Sequence, residues 1–145
     1  MKTLTRNYFS CLLGLVLAAV FATAAAASSP FVGSRSEPHA VLYMNVNQSA
    51  KQIWPVKIWA VDGQLTNRSD SGVLWIKPGK YTFDMKLGKV NLADVPGLQT
   101  SASFGQEKHD LKIKVEAGKA YYIGAKFEAS GKWQPVVWKT EDSKY

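Results

Sequence analysis

Two histidines, five tryptophans and a scatter of serines and carboxylates are the side chains with which this 145-residue chain could do chemistry. His39 and His109 are the only histidines, and each has one carboxylate beside it in sequence, Glu37 and Asp110 respectively. A catalytic dyad or a metal centre needs several converging partners, and no ligand-like spacing recurs around either ring. Ser69, Ser71, Ser101 and Ser103 lie in turn-like sequence without the pattern of a nucleophile elbow. Asp62, Asp70, Asp84 and Asp94 are well separated, so a glycosidase-like pair would have to be assembled by the fold. Asp62, Asn67 and Asp70 do not match a calcium loop and read as turn residues. These absences lead us to expect no catalysis, no metal and no cofactor.

The aromatic residues stand out more. Trp54 beside Pro55, and Trp133 just after the turn at 130–132, sit near the ends of apolar segments and are expected to be partly exposed. Trp59 and Trp75 are assigned to the core, where a sandwich commonly buries a large indole. An exposed tryptophan among lysines suits stacking on a sugar ring or a seat at a lipid interface. Trp54 and Trp133, with His109 and Phe104 flanking or within the long 88–109 segment, are therefore the candidate ligand-binding residues.

What must position them begins after a leader. Lys2 and Arg6 precede an apolar run from Tyr8 to Val20, and small residues follow from Ala22 to Ser29. Charged, apolar and small, in that order, is the pattern of a secretory signal, which we expect to end near residue 27. The single cysteine, Cys11, falls at the start of the apolar run rather than at its end, where a lipidated cysteine would sit. Roughly 118 residues then remain, enough for one domain with its own core. Setting Lys2 and Arg6 aside from the 18 basic residues leaves 16 against 11 acidic ones, a net charge of +5. The lysines are spread along the chain rather than clustered. That argues against a nucleic-acid partner and allows at most weak association with an anionic membrane surface.

Residues 28–39 hold two prolines and read as a flexible lead-in. From Ala40 to the C-terminus, short segments rich in β-branched and aromatic residues alternate with Gly, Pro, Asn and Asp. Strands are expected at 40–47, 53–61, 72–77, 81–87, 109–116, 120–128 and 133–140. Pro55 should mark an edge or a bulge because it lacks an amide hydrogen. Asp62-Gly63, Pro78-Gly79 (suited to a type II turn), Ala117-Gly118-Lys119 and Ser130-Gly131 are the turns. Tyr81, Phe83, Met85 and Leu87 alternate cleanly with polar residues, predicting one buried and one wet face. The result is an all-β domain over 40–145, an immunoglobulin- or transthyretin-like antiparallel sandwich of about seven strands.

Two phrases carry a resemblance: Trp75-Ile76-Lys77-Pro78-Gly79-Lys80-Tyr81-Thr82-Phe83, and Val115-Glu116-Ala117-Gly118-Lys119-Ala120-Tyr121-Tyr122. A Pro-Gly-x-Tyr strand start and a later Val-x-x-Gly-x-x-Tyr hairpin resemble small exported bacterial β-sandwich domains of the PEGA-like, carboxypeptidase regulatory-like and transthyretin-like kinds. The resemblance runs from Val73 to Phe127. It implies a non-catalytic module of the bacterial cell envelope, periplasmic or secreted, that binds an envelope protein or a glycan. The competing expectation is a small periplasmic hydrolase or a carbohydrate-binding domain that uses the 88–109 loop.

Overall fold

A computed structural model describes residues 29–32, 34–66, 71–95 and 107–144 of the chain. The leader and residues 96–106 of the 88–109 segment, Phe104 among them, lie outside the described residues. Nine strands are present among them: β1 (Ala40–Tyr43), β2 (Ile53–Trp54), β3 (Val56–Val61), β4 (Gln64–Leu65), β5 (Val73–Ile76), β6 (Gly79–Leu87), β7 (His109–Val115), β8 (Lys119–Phe127) and β9 (Trp133–Asp142). They form two sheets stacked as an all-β sandwich. β4, β3, β6 and β7 make a four-stranded sheet in that order. β8 is the spine of the five-stranded sheet, paired along one edge with β9 and along the other with β1 and then β2, while β5 lies outside β1.

The strand count exceeds the expected seven chiefly because the segment 53–61 is two strands in two sheets. Ile53 and Trp54 pair with β8, whereas Val56 onward pairs with β6. Pro55 is the crossing point: with no N–H to donate, it cannot continue the first ladder. Its carbonyl accepts instead from the Gly88 N–H at 2.9 Å. A Cβ on Gly88 would lie 3.0 Å from the Pro55 carbonyl oxygen, so glycine is what admits the contact.

The sandwich is also not wholly antiparallel. β1 runs parallel to β8, with Val41 opposite Ala120 and Tyr43 opposite Tyr122. Two of the expected turns bridge the sheets instead of closing hairpins. Pro78-Gly79 leads from β5 to β6 and Ala117-Gly118 from β7 to β8, and each of these strand pairs is split between the two layers. Gly79 does not take the positive φ that a type II turn requires at that position. Asp62 (φ 48°) and Gly63 (φ 76°) do close a two-residue hairpin between β3 and β4, with both central residues left-handed as a type I′ turn demands.

Period-two alternation is what builds the core. Leu42, Leu74, Ile76 and Ile123 from the five-stranded sheet meet Ile58, Val61, Phe83 and Met85 from the four-stranded sheet, and all are essentially inaccessible. Each such side chain contributes about 1.5–3 kcal/mol through removal from water. The turn after β7 is fixed by Tyr121, whose buried ring packs in this core while its hydroxyl accepts the Glu116 N–H at 3.0 Å.

Residues 29–32 and 34–39 are tied to the body rather than hanging free. Pro30 accepts from the Lys77 N–H at 2.9 Å, Phe31 bridges to Ile76, and Glu37 reaches Lys77 at 3.8 Å. His39, next to β1, is buried, with Nδ1 2.7 Å from the Glu37 carbonyl. The expected flexible lead-in is thus an arm laid along the sandwich, because Phe31 and Val32 have apolar surface to cover and β5 offers an edge to cover it with.

Candidate functional site

Trp54 and Trp133 are not exposed. They retain 2 % and 1 % of their accessible surface and belong to the core between the sheets. Trp54 ends β2 at the Pro55 crossing, and its side chain is buried in the core. Trp133 starts β9 opposite Phe127 and is covered by His109, whose ring centroid is 4.3 Å away in an edge-on arrangement. His109 is partly exposed at the start of β7, with Nε2 3.4 Å from a Glu107 carboxylate oxygen. The structure therefore brings His109 and Trp133 together, but as a lid on the core. Among the described residues no three His, Cys, Asp or Glu side chains gather as metal ligands would.

A partly exposed aromatic surface lies elsewhere, on the outer face of the five-stranded sheet. In β1 the residues that alternate with the core-facing Ala40 and Leu42 are Val41 and Tyr43. In β8 Tyr122 alternates with Tyr121 and Ile123. Register sets Tyr43 directly opposite Tyr122, and the two rings stack with centroids 4.9 Å apart and planes 19° from parallel. Trp138 follows on β9, its ring 5.5 Å from that of Tyr122. The β8–β9 register slips between Tyr122 and Ile123, so that Trp138 is the extra residue of a bulge. On the other flank Trp75 of β5 carries the Arg35 guanidinium 4.4 Å above its ring centroid. Trp59 and Trp75, both expected in the core, are instead on the two outer faces: Trp59 is 37 % exposed on the four-stranded sheet and Trp75 is half-buried here.

Arg35, His39, Tyr43, Ser71, Val73 and Trp75 line a groove of about 630 Å³ between the arm and the sheet. Its floor is apolar and aromatic. Arg35 supplies a fixed positive charge, and His39 Nε2 is buried with no hydrogen-bond partner. The far end of the aromatic row is held by a polar clamp. The Tyr122 hydroxyl donates to Glu141 at 2.5 Å, and Lys139 pairs with the same carboxylate at 2.6 Å. That hydrogen bond, with some burial and the negative charge of Glu141, pushes the phenol up to about 12. Lys139, and then Tyr122, hold the Glu141 carboxyl below its ordinary range. Lys139 and Lys51 also lie over the rings of Tyr122 and Trp138, at 4.7 and 5.2 Å. The arrangement is a row of rings, two of them stacked and the third tilted against them, with cations lying over Trp75, Tyr122 and Trp138, and it offers both aromatic surface and hydrogen-bond donors to a ligand.

Sequence reasoning reached none of Arg35, Tyr43, Trp75, Tyr122 or Trp138 as binding residues. The available signal was their parity: Tyr43 and Tyr122 fall on positions that alternation assigns to solvent, where polar residues are the norm. Comparison with known proteins gives no matching family, no similar characterised protein and no similar solved structure.

Proposed function

We propose that this chain is a non-catalytic binding module of the bacterial cell envelope, exported behind its N-terminal leader, that holds a glycan against the outer face of the five-stranded sheet. The observation that carries the reading is the row Trp75, Tyr43, Tyr122 and Trp138 on one outer face, with Tyr43 and Tyr122 stacked and Arg35 seated on Trp75. Pyranose rings present flat C–H faces that pack on such rings, while Arg35, Lys51 and Lys139 stand where hydroxyl, acetamido or carboxylate groups would project. The leader pattern and the resemblance to exported sandwich modules support the envelope setting. The site differs from the one anticipated in the 88–109 loop, since its residues come from strands and from the arm.

Pelleting with insoluble glycans tests the reading. The protein is mixed with peptidoglycan sacculi, chitin and cellulose, each alone. Retention on at least one is expected, with about tenfold weaker binding when Trp75→Ala or Tyr43→Ala removes a stacking ring. Retention on none of them, or retention indifferent to both substitutions, would falsify it.

A further inference from the structure

We propose that the outer face of the four-stranded sheet seats the protein on an anionic lipid bilayer. This surface is separate from the aromatic face and lies on the opposite side of the sandwich, so the proposal does not depend on the glycan reading. Phe83 and Met85 of β6 point into the core, which sends Lys80, Thr82, Asp84 and Lys86 outward. The alternation of β3 and β7 adds Lys57, Lys112 and Lys114 to the same face, and Lys108 reaches it from the residue before β7. Six lysines thus stand against Asp62, Asp84, Asp110 and Glu116, whose carboxylate lies 3.0 Å from the Lys114 ammonium. The register even places like charges opposite one another, Lys57 against Lys86 and Lys80 against Lys114.

Charge alone would suit any polyanion, and two apolar side chains decide for a bilayer. Trp59 (37 %) and Leu65 (70 %) are the exposed large hydrophobic residues among those described. Both belong to this face. Leu65 pairs with Ala60, which is opposite the outward-facing Asp84, and Trp59 is the extra residue of the β3 bulge next to it. The Lys86 ammonium lies 3.9 Å from the Trp59 ring centroid and that of Lys108 5.7 Å. An indole and a leucine surrounded by lysines match the depth profile of a membrane interface, with apolar groups at the acyl boundary and ammonium groups among the phosphates. A soluble polyanion would leave Leu65 in water.

Co-sedimentation of the full chain with vesicles of phosphatidylglycerol mixed with phosphatidylcholine, and with phosphatidylcholine alone, tests this. The triple variant Lys57→Gln, Lys86→Gln, Lys114→Gln should bind the anionic vesicles on the order of 100-fold more weakly, at about fivefold per lysine. A control triple of equal charge, Lys126→Gln, Lys132→Gln, Lys144→Gln, removes exposed lysines outside this face and should bind at least about tenfold better than the first triple. Any contribution from the leader is common to all these proteins and cancels in the comparison. Trp59→Ala with Leu65→Ser should also weaken vesicle binding severalfold. Equal losses in the two triples would mean that net charge alone acts, and would overturn the proposal. Anionic binding unchanged by loss of Trp59 and Leu65 would overturn it in favour of a soluble polyanion.

Discussion

Tyr43 and Tyr122 stack face to face across the one parallel pairing of the five-stranded sheet, 4.9 Å between ring centroids. The contact follows from register: parallel β1 and β8 bring the two outward positions level. It turns two separately unremarkable tyrosines into one stacked pair, against which Trp138 leans at 60°. A row of this kind, on strands rather than loops, is rigid before any ligand arrives, which lowers the entropic cost of binding.

The clamp on Tyr122 gives the first prediction. Its raised phenol pKa stabilises the folded state fully below pH 10, the ordinary value, and the contribution is lost as pH rises from there through about 12. Glu141 has the opposite sign: its lowered carboxyl contributes above its ordinary range and loses that contribution as pH falls through the folded value. Ultraviolet titration of tyrosinate should show one late-titrating phenol in the wild type. Replacing Glu141→Gln should bring it back toward its ordinary value.

Trp54→Ala and Trp133→Ala should each cost about 3–5 kcal/mol in denaturant unfolding, since both leave large cavities in a fully packed core. Phenylalanine should cost less at either position. Each indole N–H is buried without a partner, so its removal relieves an unmet donor.

Gly124 is a packing requirement of the aromatic face. A Cβ there would lie 2.4 Å from Ile53 Cγ2 and 3.0 Å from the Trp54 carbonyl oxygen. Gly124→Ala should therefore destabilise the domain by about 1–3 kcal/mol, despite the better strand propensity of alanine. Thermal unfolding measures this, and an unchanged midpoint would show that β2 can move away.

Asp84 and Asp110 stand opposite each other across β6 and β7. Asp110→Asn, which removes the like charge without adding another lysine to this face, should stabilise the sheet by about 0.2–1 kcal/mol at low salt, less at high salt. Chemical denaturation at two ionic strengths would reveal the difference.

Much of the fold was legible because its strands obey a two-residue period. Phe83, Met85, Ile123 and Val115 are buried on the faces their alternation assigns. What alternation could not convey was which sheet a strand joins. Ile53–Val61 reads as one strand because Trp54, Val56 and Ile58 are all buried, yet Pro55 sends the chain from one layer to the other. Bulges hid the rest: Trp59 and Trp138 both sit where the register slips, and the period around them no longer indicates a face. The placing of Trp54 and Trp133 failed for a related reason, since nearness to a strand end in sequence says nothing about whether another strand covers that end. The aromatic face itself depends on β1 lying beside β8, nearly eighty residues away, a pairing no local pattern encodes.

The tryptophan indole N–H resonances, followed by NMR as soluble sacculus fragments, chito-oligosaccharides and cello-oligosaccharides are added in turn, test the binding face most directly. At least one of these should shift the Trp75 and Trp138 signals together while leaving those of Trp54 and Trp133 in place. Shifts confined to Trp54 and Trp133, or no shift with any of the sugars, would contradict the assignment of that face.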